Sequence, residues 1–179
     1  MKRIFCTVAA ICVLAAAIPA QARLWKPERG DLAHDYAYIT DLRKSHDIIT
    51  VFWLAPPLAA GSPTTQLVLE RYVIVGVSHV KQDTVTGKVE STNLDAVEAR
   101  DKDGKPLTLL EGDKVPPIVA ALIAGNGGTA RQAMGATGTG MRFFAFDAGN
   151  VRACGKGRLS IAYVGETYIY DTPIPGCGP

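Results

Sequence analysis

Two cysteines, Cys154 and Cys177, bracket the closing stretch of the chain, and their spacing admits a reactive pair, a metal site or a disulfide clasp. They are not arranged as a C-x-x-C dithiol, and no histidine neighbours them to complete a zinc site. Compartment decides between the remaining options. The chain opens with Lys2 and Arg3, runs through an apolar stretch from Ile4 to Ile18, and reaches Ala20-Gln21-Ala22. A basic start, an apolar segment too short to span a bilayer and a small-x-small end predict a secretory signal peptide over residues 1–22. Cys6 and Cys12 depart with it, leaving Cys154 and Cys177 as an even pair in an exported chain. A structural disulfide is therefore expected.

Histidines are the next residues able to do chemistry. His34, His46 and His79 show no i,i+4 spacing and no HExxH. If the strands carrying His46 and His79 pair, the two rings could approach as a weak metal candidate, against the plainer account of separate hydrogen-bonded side chains. No metal or other cofactor is expected. No GxSxG surrounds any serine, so no catalytic residue is assigned. The Asp101-Lys102-Asp103-Gly104 stretch, laid on a calcium loop, would put Ala99 and Leu110 where carboxylates are needed; a hairpin reversal at Asp103-Gly104 fits better. The glycines between Ala124 and Gly140 lack the preceding strand and the Gly-Lys-Ser/Thr ending of a phosphate cradle.

Tyrosines give a softer signal. Tyr163, Tyr168 and Tyr170 lie on the terminal hairpin, and Tyr168 and Tyr170 share a strand face. Amphipathic aromatics on an exposed sheet face serve binding surfaces; the same residues are as common half-buried in a sheet.

These residues need elements to hold them. Residues 23–35 are polar with Pro27 and Gly30, and predict an irregular N-terminal arm. Ile48 to Leu54 and residues 70–80 carry β-branched, aromatic or otherwise apolar residues on both faces, as expected of central strands; residues 58–66 between them predict a loop. Leu94 to Leu110 predicts a hairpin. Pro116-Pro117 opens a short helical segment, Ile118 to Ala124, which Gly125-Asn126-Gly127-Gly128 should break before a second piece from Thr129 to Met134. β character returns at Met141 and persists through Thr167 to Asp171. The expectation is a mainly β, single-domain immunoglobulin-like β-sandwich over residues 36–179, of about seven strands, with a short helical, Gly-rich insertion at about 115–135 before the last three.

The formal net charge of +2 reflects 19 basic and 17 acidic residues. Loss of Lys2 and Arg3 brings it to zero, and Arg142, Arg152, Lys156 and Arg158 are spread along the chain, which disfavours nucleic acid as a partner. No membrane span is expected in the mature form. The functional expectation is a periplasmic or secreted non-catalytic binding module recognising another envelope protein or a small ligand. The alternatives are an exported hydrolase with a dispersed site, around His46 and His79, and a protein inhibitor that inserts the Gly-rich segment or the Leu58–Gln66 loop into a target.

Overall fold

A computed structural model describes residues 22–24, 37–42, 46–59, 62–94 and 96–177. The expected leader up to residue 21 and most of the expected N-terminal arm lie outside the described residues. At the start of that arm, Arg23 and Leu24 are extended rather than irregular: β1 (Ala22–Leu24) pairs in parallel with the last strand.

The two β-branched runs form the centre. Strand β3 (Asp47–Leu54) pairs antiparallel with β4 (Tyr72–Gln82), from Asp47 opposite Lys81 to Leu54 opposite Ile74. On its other edge β3 pairs with β2 (Ala37–Leu42). The far edge of β4 is shared: β8 (Arg142–Asp147) covers Tyr72 to Val77, and β5 (Val89–Ser91) covers Val80 to Gln82. The short β7 (Leu109–Leu110) completes this sheet against β8. The second sheet has the order β1, β10 (Glu166–Thr172), β9 (Gly157–Tyr163), β6 (Glu98–Arg100), antiparallel except for β1. The protein is thus mainly β, with two sheets and two helices, and its ten described strands exceed the expected seven.

Both faces of the central strands are used, as their composition requires. Val51 and Trp53 on β3, opposite Val77 and Val75 on β4, face the second sheet: the Trp53 and Tyr170 rings meet edge-on at 5.4 Å, and the Tyr170 hydroxyl donates to the Val51 carbonyl at 3.2 Å. The other face carries helix α2 (Pro117–Ala133). There Gly76, opposite Phe143 in the register, leaves room for the ring; a Cβ at Gly76 would lie 2.9 Å from both Phe143 Cε1 and Met141 Sδ. Gly127 meets the same ring from the helix side, where an added Cβ would come within 3.0 Å.

That contact corrects one expectation. The helix does not break at Gly125–Gly128 but runs through it. Asn126 Nδ2 donates to the Leu122 carbonyl at 3.1 Å, and the buried Gly127 lets the helix approach the sheet. Packing outweighs a glycine penalty of about 1 kcal/mol per residue. The described residues of the expected 58–66 loop are likewise mostly helical: a 3₁₀ turn (Pro56–Ala59) precedes helix α1 (Pro63–Arg71), which starts on a proline and buries Leu69. The described residues of both segments that the inhibitor alternative invoked are thus mostly helical.

The expected hairpin over 94–110 closes only at its tip. Gly104 takes φ +78, Arg100 bridges Pro106, and the buried Asp101 carboxylate accepts from the Asp103 and Lys105 N–H groups at 3.0 and 2.9 Å. Its arms then part, β6 joining one sheet and β7 the other.

Candidate functional site

Contact between Tyr163 and His79 fixes which loops share an end of the molecule. The His79 ring stands edge-on to Tyr163 with Nδ1 3.1 Å from the hydroxyl, while Nε2 lies 3.4 Å from Asp47 Oδ1. Tyr163 ends β9 and His79 is near the end of β4, so the turns after both strands and the turn before β3 lie together. These turns carry the unusual features of the chain.

The β4–β5 turn is built by one carboxylate. Asp83 Oδ1 accepts from the Val85 and Thr86 N–H groups at 2.8 and 2.7 Å, its own N–H donates to the Lys88 carbonyl at 2.8 Å, and Gly87 completes the reversal at φ +70. An aspartate that caps its own turn makes the loop stiff. The turn holds Val85 out at 93% exposure. On the β9–β10 turn, Val164 and Gly165 have φ +48 and +74, the two-positive pattern of a tight hairpin that favours Asn-Gly. A β-branched residue there is strained, and Val164 is 44% exposed. The third turn sets His46 at φ +60. His46 and Val164 are the two non-glycine residues with positive φ among the described residues, and both lie at this end.

Between the His46 turn and the β4–β5 hairpin is a hollow of about 320 Å³ lined by His46, Lys81, Gln82, Asp83, Lys88 and Glu90. Lys88 is held by Glu90 at 2.7 Å, which also raises its ammonium pKa. The Thr86 N–H, then that of Val85, holds the Asp83 carboxyl below its ordinary 3.8. The ionised form is the one that grips the turn, so this contribution is complete above that ordinary value and is lost as pH falls through the lower folded-state value. Acid titration followed by NMR is expected to move the Val85 and Thr86 amide signals with a midpoint below pH 3.8; a midpoint above it would contradict the clamp.

The residues singled out from sequence are placed differently. Tyr163, Tyr168 and Tyr170 do share one face, but it is the inner one: all three are buried between the sheets and form no exposed binding face. The exposed-face reading is overturned because strand alternation assigns residues to a side without saying which side is covered. His46 is exposed on its turn, whereas His79 is wedged between Asp47 and Tyr163. Among the described residues no three potential metal ligands cluster. Cys154 and Cys177 lie with Cα atoms 5.3 Å apart and are disulfide-bonded. The exposed valines were missed because an apolar residue in a turn looks incidental until the fold shows it uncovered.

Compared with protein-family models, curated proteins and solved structures, the chain matches none. Among the described residues no helix is long and apolar enough to cross a membrane.

Proposed function

We propose that the protein is an exported, non-catalytic binding module that docks a protein partner of the periplasm or exterior on its hairpin-tip end. The observation that carries this reading is Val85, uncovered at the tip of a turn that Asp83 stiffens. An ordered loop loses little entropy on binding, and an exposed apolar tip gains area when it enters a socket. The strained, uncovered Val164 at the same end supports it, since strain persists where something other than local stability retains it. The hollow beside the tip supplies charged groups for a polar rim around an apolar contact. Export is supported by the leader-like start and by the disulfide. The finer assignment of an immunoglobulin-like sandwich belongs to the same proposal and is supported by two sheets facing across Trp53 and Tyr170. If the partner is an enzyme and the tip enters its cleft, the module acts as an inhibitor.

Native mass spectrometry of the protein purified from its own host's envelope tests this. The wild type is expected to carry a stoichiometric protein partner. Val85→Asp is expected to weaken the complex at least about tenfold, the effect of losing a central apolar anchor, without changing thermal unfolding. Purification without any partner, or a complex that tolerates Val85→Asp, would overturn the reading.

A further inference from the structure

At the opposite end, where β9 begins and β10 closes, the fold gathers cations that are far apart in the chain. Lys102 comes from the Asp101–Gly104 turn, Lys156 from the approach to β9, and Arg158 from β9 itself. Together with Gly157 and Asp171 they line a hollow of about 340 Å³.

The three cations are committed to different degrees. The Lys102 ammonium is chelated by both Asp103 oxygens at 2.8 and 2.9 Å. Arg158 donates from Nε to Asp171 Oδ1 at 2.7 Å, directly across the β9–β10 ladder, where the two residues are register partners. That bond anchors the guanidinium by its inner nitrogen and leaves the two terminal nitrogens without partners among the described residues. Lys156 likewise has no acidic partner among them. It is two residues from Cys154, whose bond to Cys177 ties this corner to the tail. The uncommitted donors in the hollow are one ammonium and the outer fork of one guanidinium, set beside one remaining carboxylate oxygen, Asp171 Oδ2.

We propose that this hollow is an anion site for a tetrahedral phosphoanion, a phosphate ester or a phospholipid headgroup. A guanidinium fork beside an ammonium matches two or three oxygens of one phosphoryl group, which a single surface lysine does not. Asp171 Oδ1 takes Nε and leaves the terminal fork to the ligand, while Lys102, Lys156 and Arg158 against the carboxylates of Asp103 and Asp171 keep the hollow net positive. The site is separate from the hairpin-tip end and does not depend on the binding role proposed for it.

The test is an amide-resolved NMR titration of the disulfide-intact protein with inorganic phosphate, against sodium chloride at equal ionic strength. Saturable shifts are expected at Lys102, Lys156, Gly157 and Arg158, and none at residues 83–88. Lys156→Met and Arg158→Met keep the side-chain stems and are each expected to weaken phosphate binding about fivefold, the double variant more than tenfold. Val85→Asp should leave it unchanged, which separates failure here from failure of the docking role. Flotation with phosphatidylglycerol vesicles identifies the source. Co-flotation lost in the double variant assigns a headgroup; phosphate binding without flotation assigns a soluble phosphoanion. Shifts spread over the whole surface, or an undiminished double variant, would overturn the site.

Discussion

Trp53→Ala is expected to lower the unfolding free energy by about 3–5 kcal/mol, as for other truncations of a large buried aromatic. Against a typical domain stability of roughly 5–15 kcal/mol, that leaves a protein close to its unfolding threshold. The reason is position. Trp53 is 1% exposed, sits on the central strand and meets Tyr170 edge-on across the sheets. Removing it empties the layer on which both sheets close, and rigid β-ladders on either side collapse poorly into a void. Two controls sharpen the test. Tyr170→Phe keeps the ring and loses the bond to the Val51 carbonyl, for about 1 kcal/mol. Trp53→Phe should cost less than Trp53→Ala for two reasons: it retains most of the apolar area, and it removes an indole N–H that is buried with no hydrogen-bond partner among the described residues. Urea unfolding of the four proteins checks the order. A Trp53→Ala loss under about 1 kcal/mol would mean that the inter-sheet layer is not the principal core.

The same layer shows how far the sequence could be read. Runs such as Ile48 to Leu54 and residues 70–80 announce strands apolar on both faces, and apart from Glu70 and Arg71, which end a helix, they are the paired centre of a sheet covered on two sides. The Cys154–Cys177 clasp was legible because the expected export, with the parity it leaves, favours little else. The side to which an alternating strand turns was not legible. Tyr168 and Tyr170 share a face by period alone, but whether it meets water depends on where the other sheet lies, and that is a long-range fact. Helix α2 failed for the same reason. Gly125–Gly128 has the local chemistry of a break, and only Phe143, pressed between Gly127 and Gly76, shows why the helix continues. The hairpin over 94–110 was half legible: Asp103-Gly104 set the turn, while the allegiance of each arm to a different sheet was set by β9 and β8. Candidate sites fared worst, since Lys102 meets Lys156 and Arg158 only through the register of β6, β9 and β10. No local pattern could place Val85 and Val164 at one end.

Breaking the clasp is the second large effect. Cys154 and Cys177, 23 apart in sequence, close a loop of modest length, and chain-entropy reasoning gives about 3–3.5 kcal/mol for the bond. For a domain of this size the loss corresponds to a melting point lowered by roughly 6–14 °C. The double variant Cys154→Ser, Cys177→Ser should show it in calorimetry, and reduction of the wild type should match. The loss should not be uniform. The β9–β10 ladder is held by its own register from Glu166 opposite Tyr163 to Thr172 opposite Gly157, and Ile174 remains buried with its N–H on the Ala153 carbonyl at 2.9 Å. Hydrogen exchange is therefore expected to rise first around residues 173–177 and 153–157, leaving Leu159 to Tyr163 protected. Lys156 lies in the loosened stretch, so the reduced protein should also bind phosphate more weakly while its hairpin tips keep their shape. Unchanged melting after verified reduction would show that the reduced chain already holds this corner, and that the bond adds no constraint to it.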